Sequence, residues 1–200
     1  MACEGLRFDG AGNRAFGMFV EKKELLTTCS PETDALTQTP LPRYTSTLYL
    51  AATPACTLLS MMMRDETRYP MQVVWKDEKL NRLVVDDDAT VARLAALDLE
   101  EAPAKEGLTV LQASLSSDGA RALIACRDDN NAYRLYLMDT ETLSLTSVDL
   151  STFEEMIAQK GPGFGYDNNR FLPGLCFTGG GRYVILPFAN GDTALCELSI

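Results

Sequence analysis

Apolar and polar residues alternate along most of the chain in short runs, and most runs end in a turn-forming pair. The clearest runs are residues 133–139 and 143–150, which flank a turn at Thr140. Alternation with a period of two predicts strands that bury one face better than the other. The pattern is typical of stacked antiparallel sheets, so we predict an all-β protein.

One pattern occurs three times: an apolar strand, a turn containing glycine, and a second apolar strand opened by a basic residue. The three copies are residues 6–20, 113–126 and 175–188. In the second copy the turn is Asp118-Gly119, a strong hairpin signal because both residues tolerate positive φ. Each copy therefore predicts a hairpin at the start of a repeated unit.

The repeat predicts about four antiparallel units in a single domain of residues 1–200. We place the units at about residues 5–42, 46–88, 108–150 and 172–200. The first three are expected to have four strands, and the last lacks its outer strand. A partial arc, completed by another chain or cut from a larger protein, is favoured over a closed ring of four units, because the first unit begins at about Leu6 and leaves no strand to complete the last unit. Such an arc would have open sheet edges that invite pairing.

Two inserts of about 20 residues separate the later units, and each is predicted to hold a short helix. The first insert, about 89–106, has apolar residues from Val91 onward at helical spacing. The second, about 151–171, opens with the sequence Ser-Thr-Phe-Glu, which forms a capping box.

Residues 114–142 read SLSSDGARALIA…YRLYLMDTET. This stretch resembles the repeats of WD40-like and TolB-like β-propellers, which commonly read fSpDGkrlaf…lyvmdl.tg. The resemblance covers one unit well, two units partly, and residues 47–88 poorly; no unit has a Gly-His or Trp-Asp signature. It implies a β-propeller-like array of four-stranded sheets stacked side by side.

The composition removes several classes of chemistry. Apolar residues make up 46% and charged residues 23% of the 200 residues, which is typical of a globular protein. Histidine is absent, which excludes Ser-His-Asp and Cys-His catalysis and His-ligated zinc, iron and haem sites. We predict no catalytic residue, no metal and no cofactor, while carboxylate-pair hydrolysis stays open because acids are abundant.

The net charge of −10 is spread over both halves, and Lys22-Lys23 is the only adjacent basic pair. Such a surface repels DNA and anionic membranes, so neither is an expected partner. The six cysteines form no Cys-x-x-Cys motif, and those at 126, 176 and 196 lie in apolar runs. We expect buried free thiols rather than disulfides.

We find no signal peptide and no apolar run of about 18 residues. We expect a cytoplasmic protein if Met1 is the native start; an export signal upstream of Met1 would leave no trace in this sequence.

Residues 161–170 form the most site-like segment, a glycine-rich stretch after the second predicted helix. Long loops with aromatic residues and arginine are common contact surfaces. We therefore assign candidate binding residues to this segment: Phe164, Tyr166, Asp167, Asn168 and Arg170. The alternative is a connection whose aromatic residues pack beneath the next unit.

Two acidic runs, 86–88 and 128–131, are interpreted as a helix-capping run and a turn, because neither has the alternate ligand spacing of a calcium loop. Met61-Met-Met63 is interpreted as a buried strand.

The sequence favours a non-catalytic module that binds another protein or a second copy of itself. Two alternatives stay open. One is a small-molecule or carbohydrate-binding or hydrolytic domain that uses carboxylates and aromatic residues. The other is an accessory part of a larger propeller assembly.

Overall fold

The computed structural model describes residues 3–8, 14–20, 23–29, 35–40, 45–52, 57–63, 70–76, 79–88, 90–98, 104–116, 118–149, 155, 159, 161, 165–167, 170–172, 176–178 and 182–198. These residues form eighteen strands, and all strand pairs are antiparallel. The prediction of an all-β, antiparallel fold is confirmed.

The strands form sheets in chain order. The first sheet contains β1 (Cys3–Phe8), β2 (Arg14–Val20), β3 (Lys23–Cys29) and β4 (Leu36–Pro40). The second contains β5 (Thr45–Ala52), β6 (Thr57–Met63), β7 (Pro70–Lys76), β8 (Lys79–Val84) and β9 (Arg93–Ala96). The third contains β10 (Thr109–Leu115), β11 (Arg121–Arg127), β12 (Tyr133–Asp139) and β13 (Leu145–Val148).

A two-stranded hairpin and a three-stranded sheet follow. The hairpin pairs β14 (Gly165–Asp167) with β15 (Arg170–Leu172). The C-terminal sheet contains β16 (Cys176–Thr178), β17 (Tyr183–Pro187) and β18 (Thr193–Glu197). Among the described residues, β18 has a neighbouring strand on one side only and is therefore the outer edge of this sheet.

The third sheet is packed on both faces. Residues 122–126 of β11 are all 0% exposed, because their side chains alternate between two neighbouring sheets. Ile124 belongs to a core shared with Val74 and Leu83 of the second sheet. Leu123 belongs to a core shared with Val184 of the C-terminal sheet. The second, third and C-terminal sheets thus stack face to face, and each hides surface that it could not bury alone.

Aspartates hold the turns of the third sheet. The β10–β11 hairpin turns through Asp118 and Gly119, whose φ is +73°, and the Asp118 carboxylate accepts the Ala120 N–H at 3.0 Å. The hydroxyl of Ser116 donates to the same carboxylate and lowers the pKa of Asp118. The hairpin predicted from Asp-Gly is confirmed.

The β11–β12 turn is built around Asp128. Its carboxylate accepts the N–H groups of Asn130 and Ala132, both at 2.9 Å, and the guanidinium of Arg134 at 3.2 Å. Asn131 has φ +64°, a conformation that asparagine tolerates better than most residues. The acidic run 128–131 is therefore a turn, as interpreted from the sequence.

The predicted helix in the insert 89–106 is wrong. Residues 93–96 form β9, the fifth strand of the second sheet. Ala92 is buried while Val91 and Arg93 are exposed, a period of two rather than of 3.6. The edge of β8 supplies backbone partners for this strand, which an isolated short helix would lack.

Of the helix predicted at the start of the second insert, the structure describes only Glu155 and Gln159. Both have helical backbone conformation, and the Gln159 amide donates to the Glu155 carboxylate at 3.1 Å. The rest of the predicted helix lies outside the described residues, and the insert continues as the β14–β15 hairpin. Because the first insert forms a strand, the prediction of two helical inserts is not borne out.

Residues 104–108 connect the second sheet to the third and are fixed to the second by ion pairs. Glu106 lies 3.1 Å from the guanidinium of Arg82 and 2.6 Å from that of Arg93. Arg93 also lies 3.7 Å from Asp86, so the acidic run 86–88 precedes a strand and not the helix that we predicted it to cap. The Leu108 N–H donates to the Val85 carbonyl at 2.8 Å, which completes the connection.

Candidate functional site

Three of the five predicted binding residues fall on the β14–β15 hairpin rather than in a loop. Tyr166 and Asp167 belong to β14, Arg170 begins β15, and Asp167 is the register partner of Arg170. Phe164 and Asn168 lie outside the described residues. The backbone therefore places three of the five residues together at one end of a hairpin, and β14 lies beside β10.

A cavity of about 290 Å³, which we call the inter-sheet cavity, lies between the third sheet and the C-terminal sheet. Most of its lining residues are apolar, and Asp149 and Glu197 are the two acidic residues among them. The third sheet supplies Leu123, Leu135, Val148 and Asp149, and the C-terminal sheet supplies Val184, Leu186, Leu195, Cys196, Glu197 and Leu198.

One wall of the cavity is the edge strand β18, whose residues alternate in exposure. Ala194 and Cys196 are partly buried against the third sheet, whereas Leu195 is 63% exposed. An exposed leucine alone is common, but here it lies on an outer strand beside an apolar cavity.

The hydrogen-bond register shows which backbone groups of β18 face outward. The Leu198 N–H donates to the Arg182 carbonyl at 2.9 Å, and the Phe188 N–H donates to the Asp192 carbonyl at 2.8 Å. Bonded pairs alternate along an antiparallel ladder. In this register Ala194 and Cys196 bond to β17. The N–H and C=O groups of the alternate residues point away from the sheet; these residues are Thr193, Leu195 and Glu197.

The equivalent space between the second and third sheets is filled by the chain itself. Val91 forms a β-bridge with Ser144, and the Ala92 N–H donates to the Leu143 carbonyl at 2.8 Å. Leu94 of the following strand β9 packs against the core that joins the two sheets. A separate cavity of about 20 Å³ is lined by residues of β7, β8 and β10 and of the segment before β10, and not by β9.

Polar chemistry near the inter-sheet cavity is limited to a few groups. Glu197 accepts two hydrogen bonds from the Arg182 guanidinium, at 2.8 and 2.6 Å, so its charge is paired at the surface. Burial raises the pKa of the Cys196 thiol. A raised pKa disfavours the thiolate, the form in which a cysteine acts as a nucleophile.

The cysteines of the described part of the chain are free, as predicted for a chain without disulfides. Cys126 is buried, and burial raises the pKa of its thiol to about 12. Cys176 is exposed, so the prediction that it is buried is wrong: it lies on the face of the C-terminal sheet that does not pack on the third sheet.

The described residues contain no group of three or more cysteine or carboxylate side chains placed to hold a metal ion. Among the same residues no helix is long and apolar enough to cross a membrane.

Sequence reasoning missed the cavity and the position of β18 beside it. The alternation of residues 193–199 predicts a strand, and the missing outer strand of the last unit was visible in the strand count. The cavity results from how two sheets overlap, which the order of residues does not reveal.

No protein-family model and no curated protein matches the chain. Two solved structures are similar to it over most of its length. One is a catalytically inactive virginiamycin B lyase from Staphylococcus aureus with quinupristin; it is 10% identical, with a TM-score of 0.34, and the match covers 98% of this chain and 70% of that one. The other is a putative 6-phosphogluconolactonase from Bacteroides uniformis; it is 11% identical, with a TM-score of 0.30, and the match covers 96% of this chain and 80% of that one. Similarity at this level assigns the chain to neither family.

Proposed function

We propose that the protein is a non-catalytic, propeller-like array of antiparallel sheets that binds another polypeptide at the inter-sheet cavity. The observation that carries the proposal is the cavity of about 290 Å³ beside an edge strand with an exposed leucine. An apolar recess next to backbone groups that point away from the sheet offers a partner both buried area and main-chain hydrogen bonds.

The lining residues of the inter-sheet cavity favour a polypeptide ligand over a small molecule such as a carbohydrate. A carbohydrate needs several side chains that hydrogen-bond its hydroxyl groups, whereas eight of the ten lining residues are aliphatic or cysteine. The volume is close to the lower limit of about 300 Å³ for small-molecule pockets. A polypeptide that inserts one or two apolar side chains uses this space better than a sugar does.

A pair of tryptophan variants on one strand tests the proposal. Val148→Trp fills the cavity, because Val148 lines it. Ser147→Trp is the matched control: Ser147 is exposed and pairs with Tyr136, which packs toward the second sheet. Both variants are compared with the unmodified chain by affinity capture and quantitative mass spectrometry.

We expect a specific partner to be retained by Ser147→Trp and lost by Val148→Trp. A partner that Val148→Trp retains at full level contradicts the proposal. So does the absence of any partner combined with measurable turnover of a small substrate.

A further inference from the structure

We infer that the partner docks as an extended strand, antiparallel to β18, which becomes the fourth strand of the C-terminal sheet and fills the inter-sheet cavity. This inference rests on the proposed function and specifies the form and chemistry of the ligand. It assigns binding to the backbone of Thr193, Leu195 and Glu197, which the sequence analysis did not select.

The backbone of β18 directs alternate N–H and C=O groups away from the C-terminal sheet. The register with β17 uses the N–H and C=O groups of Ala194 and Cys196 and directs those of Thr193, Leu195 and Glu197 outward. An antiparallel strand paired with these three residues can form up to about six main-chain hydrogen bonds. Strand addition to an exposed edge is an established way to recognise extended peptides.

The third sheet extends beyond the edge strand β18 of the C-terminal sheet. Val148 of β13 and Leu135 of β12 pack with Leu198 and Val184 and also line the cavity. The outer strands of the third sheet therefore reach over the position that a fourth strand of the C-terminal sheet would take. A strand added there covers apolar surface on both of its neighbours.

The second sheet already contains an outer strand of the kind that we propose for the C-terminal sheet. At the joint between the second and third sheets, β9 is an added outer strand whose Leu94 packs into the shared core. An outer strand thus completes the contact between two sheets of this chain, and a strand added beside β18 would do the same at the inter-sheet cavity.

The geometry also sets the sequence pattern of the ligand. Residues paired with Ala194 and Cys196 face the third sheet and must be apolar. Residues paired with Thr193, Leu195 and Glu197 face the opposite side, where the net charge of −10 favours lysine or arginine. The ligand is thus an extended segment that alternates apolar and basic residues.

A second copy of the chain fits this edge less well than a lone strand. Pairing of β18 with its own copy around a two-fold axis would place the copy's third sheet over β18, where Leu135 and Val148 already pack. A single extended segment has no second layer and avoids this overlap.

The test uses a nine-residue synthetic peptide that alternates lysine and valine, and two N-methylated analogues of it. In the proposed register the lysine N–H groups point to β18 and the valine N–H groups point away. Methylation of the lysine amides should weaken binding to the full chain about tenfold or more, and methylation of the valine amides by less than about threefold.

Two measurements on the protein locate the strand. Bound peptide should slow hydrogen exchange at the amides of Thr193, Leu195 and Glu197 and leave Ala194 and Cys196 unchanged, since the latter already bond to β17. It should also slow alkylation of Cys196, which lines the cavity, and leave the exposed Cys176 unaffected.

Leu195→Pro and Leu195→Thr form a matched pair of variants. Proline removes the outward N–H at an edge position where proline is tolerated, whereas threonine keeps the N–H and removes only the apolar side chain. We expect proline to weaken peptide binding several-fold more than threonine, with circular dichroism showing that both variants fold. The N-methylated peptides test the same main-chain hydrogen bonds to β18 without a change in the protein.

The outcomes separate this inference from the proposed function. If Val148→Trp abolishes capture of a partner while both N-methylated peptides bind equally, the protein is a binding module but strand addition is wrong. A concentration-dependent dimer that Leu195→Pro dissolves also overturns the inference, since the occupant is then a second copy. If the peptide does not bind and no captured partner depends on Val148, both proposals fail.

Discussion

Gly107, at the interface between the second and third sheets, leaves no room for a side chain. Its φ is +60°, and a Cβ added there would overlap the Val85 carbonyl oxygen, which accepts the hydrogen bond from Leu108. Gly107→Ala should therefore lower the free energy of unfolding by about 2–4 kcal/mol, the sum of backbone strain and a lost hydrogen bond. Urea denaturation measures the change.

Gly191 provides the control for this substitution. Its φ is +91°, but a Cβ added there meets nothing within 4 Å. Gly191→Ala should cost only the strain of the left-handed backbone, about 1–2 kcal/mol. Equal losses at the two positions would show that the contact with Val85 is unimportant.

Asp128 links the stability of the third sheet to pH. The Ala132 N–H, the Arg134 guanidinium and the Asn130 N–H all favour its carboxylate and lower the pKa of Asp128 below its ordinary value. Because the folded pKa is the lower one, this stabilisation is complete above the unfolded pKa of about 3.9 and is lost as the pH falls through the folded pKa.

Asp128→Asn tests this linkage. The variant should unfold at lower urea concentration than the unmodified chain at pH 7, because the amide carries no charge for Arg134. The difference should shrink below about pH 4, where the carboxylate of the unmodified chain becomes protonated. A difference that stays constant from pH 7 to pH 3 would assign the effect to the shape of the turn instead.

At the scale of the element, turns whose conformation depends on adjacent residues could be predicted from the sequence. Asp118-Gly119 forms the predicted hairpin because its conformation depends on adjacent residues. The segment that became β9 was misassigned, because a short apolar run fits a strand and a helix equally well. The edge of β8 and the bridge from Val91 to Ser144 decide between them, and both partners are distant in sequence.

The candidate site could not be predicted from the sequence, because it also depends on contacts between elements that are distant in sequence. The stretch from Thr193 to Glu197 reads as an ordinary alternating strand. Its potential role comes from the side on which it has a neighbour and from the sheet that overlies it. Both are relations between elements, so composition and spacing directed attention to the glycine-rich segment 161–170 instead.

At the scale of the whole molecule, the stack of sheets should not unfold as one unit. The third sheet is covered on both faces, and β11 is its most buried strand. The core joining the third and C-terminal sheets adjoins the inter-sheet cavity, and β18 is an edge. Stability in stacked arrays is a sum of intrinsic and neighbour terms, so the C-terminal sheet should open at lower free energy than the third sheet.

Native-state hydrogen exchange of Ile124→Val tests this order of opening. Ile124 is fully buried between the second and third sheets, so loss of one methylene should lower the opening free energy of β11 amides by about 0.5–1.5 kcal/mol. If β17 and β18 open while that core stays intact, their bonded amides should exchange at an unchanged rate, because the substitution affects their closed and open states equally. Acceleration of the β17 amides by the same factor as those of β11 would mean that the stack unfolds as a single cooperative unit.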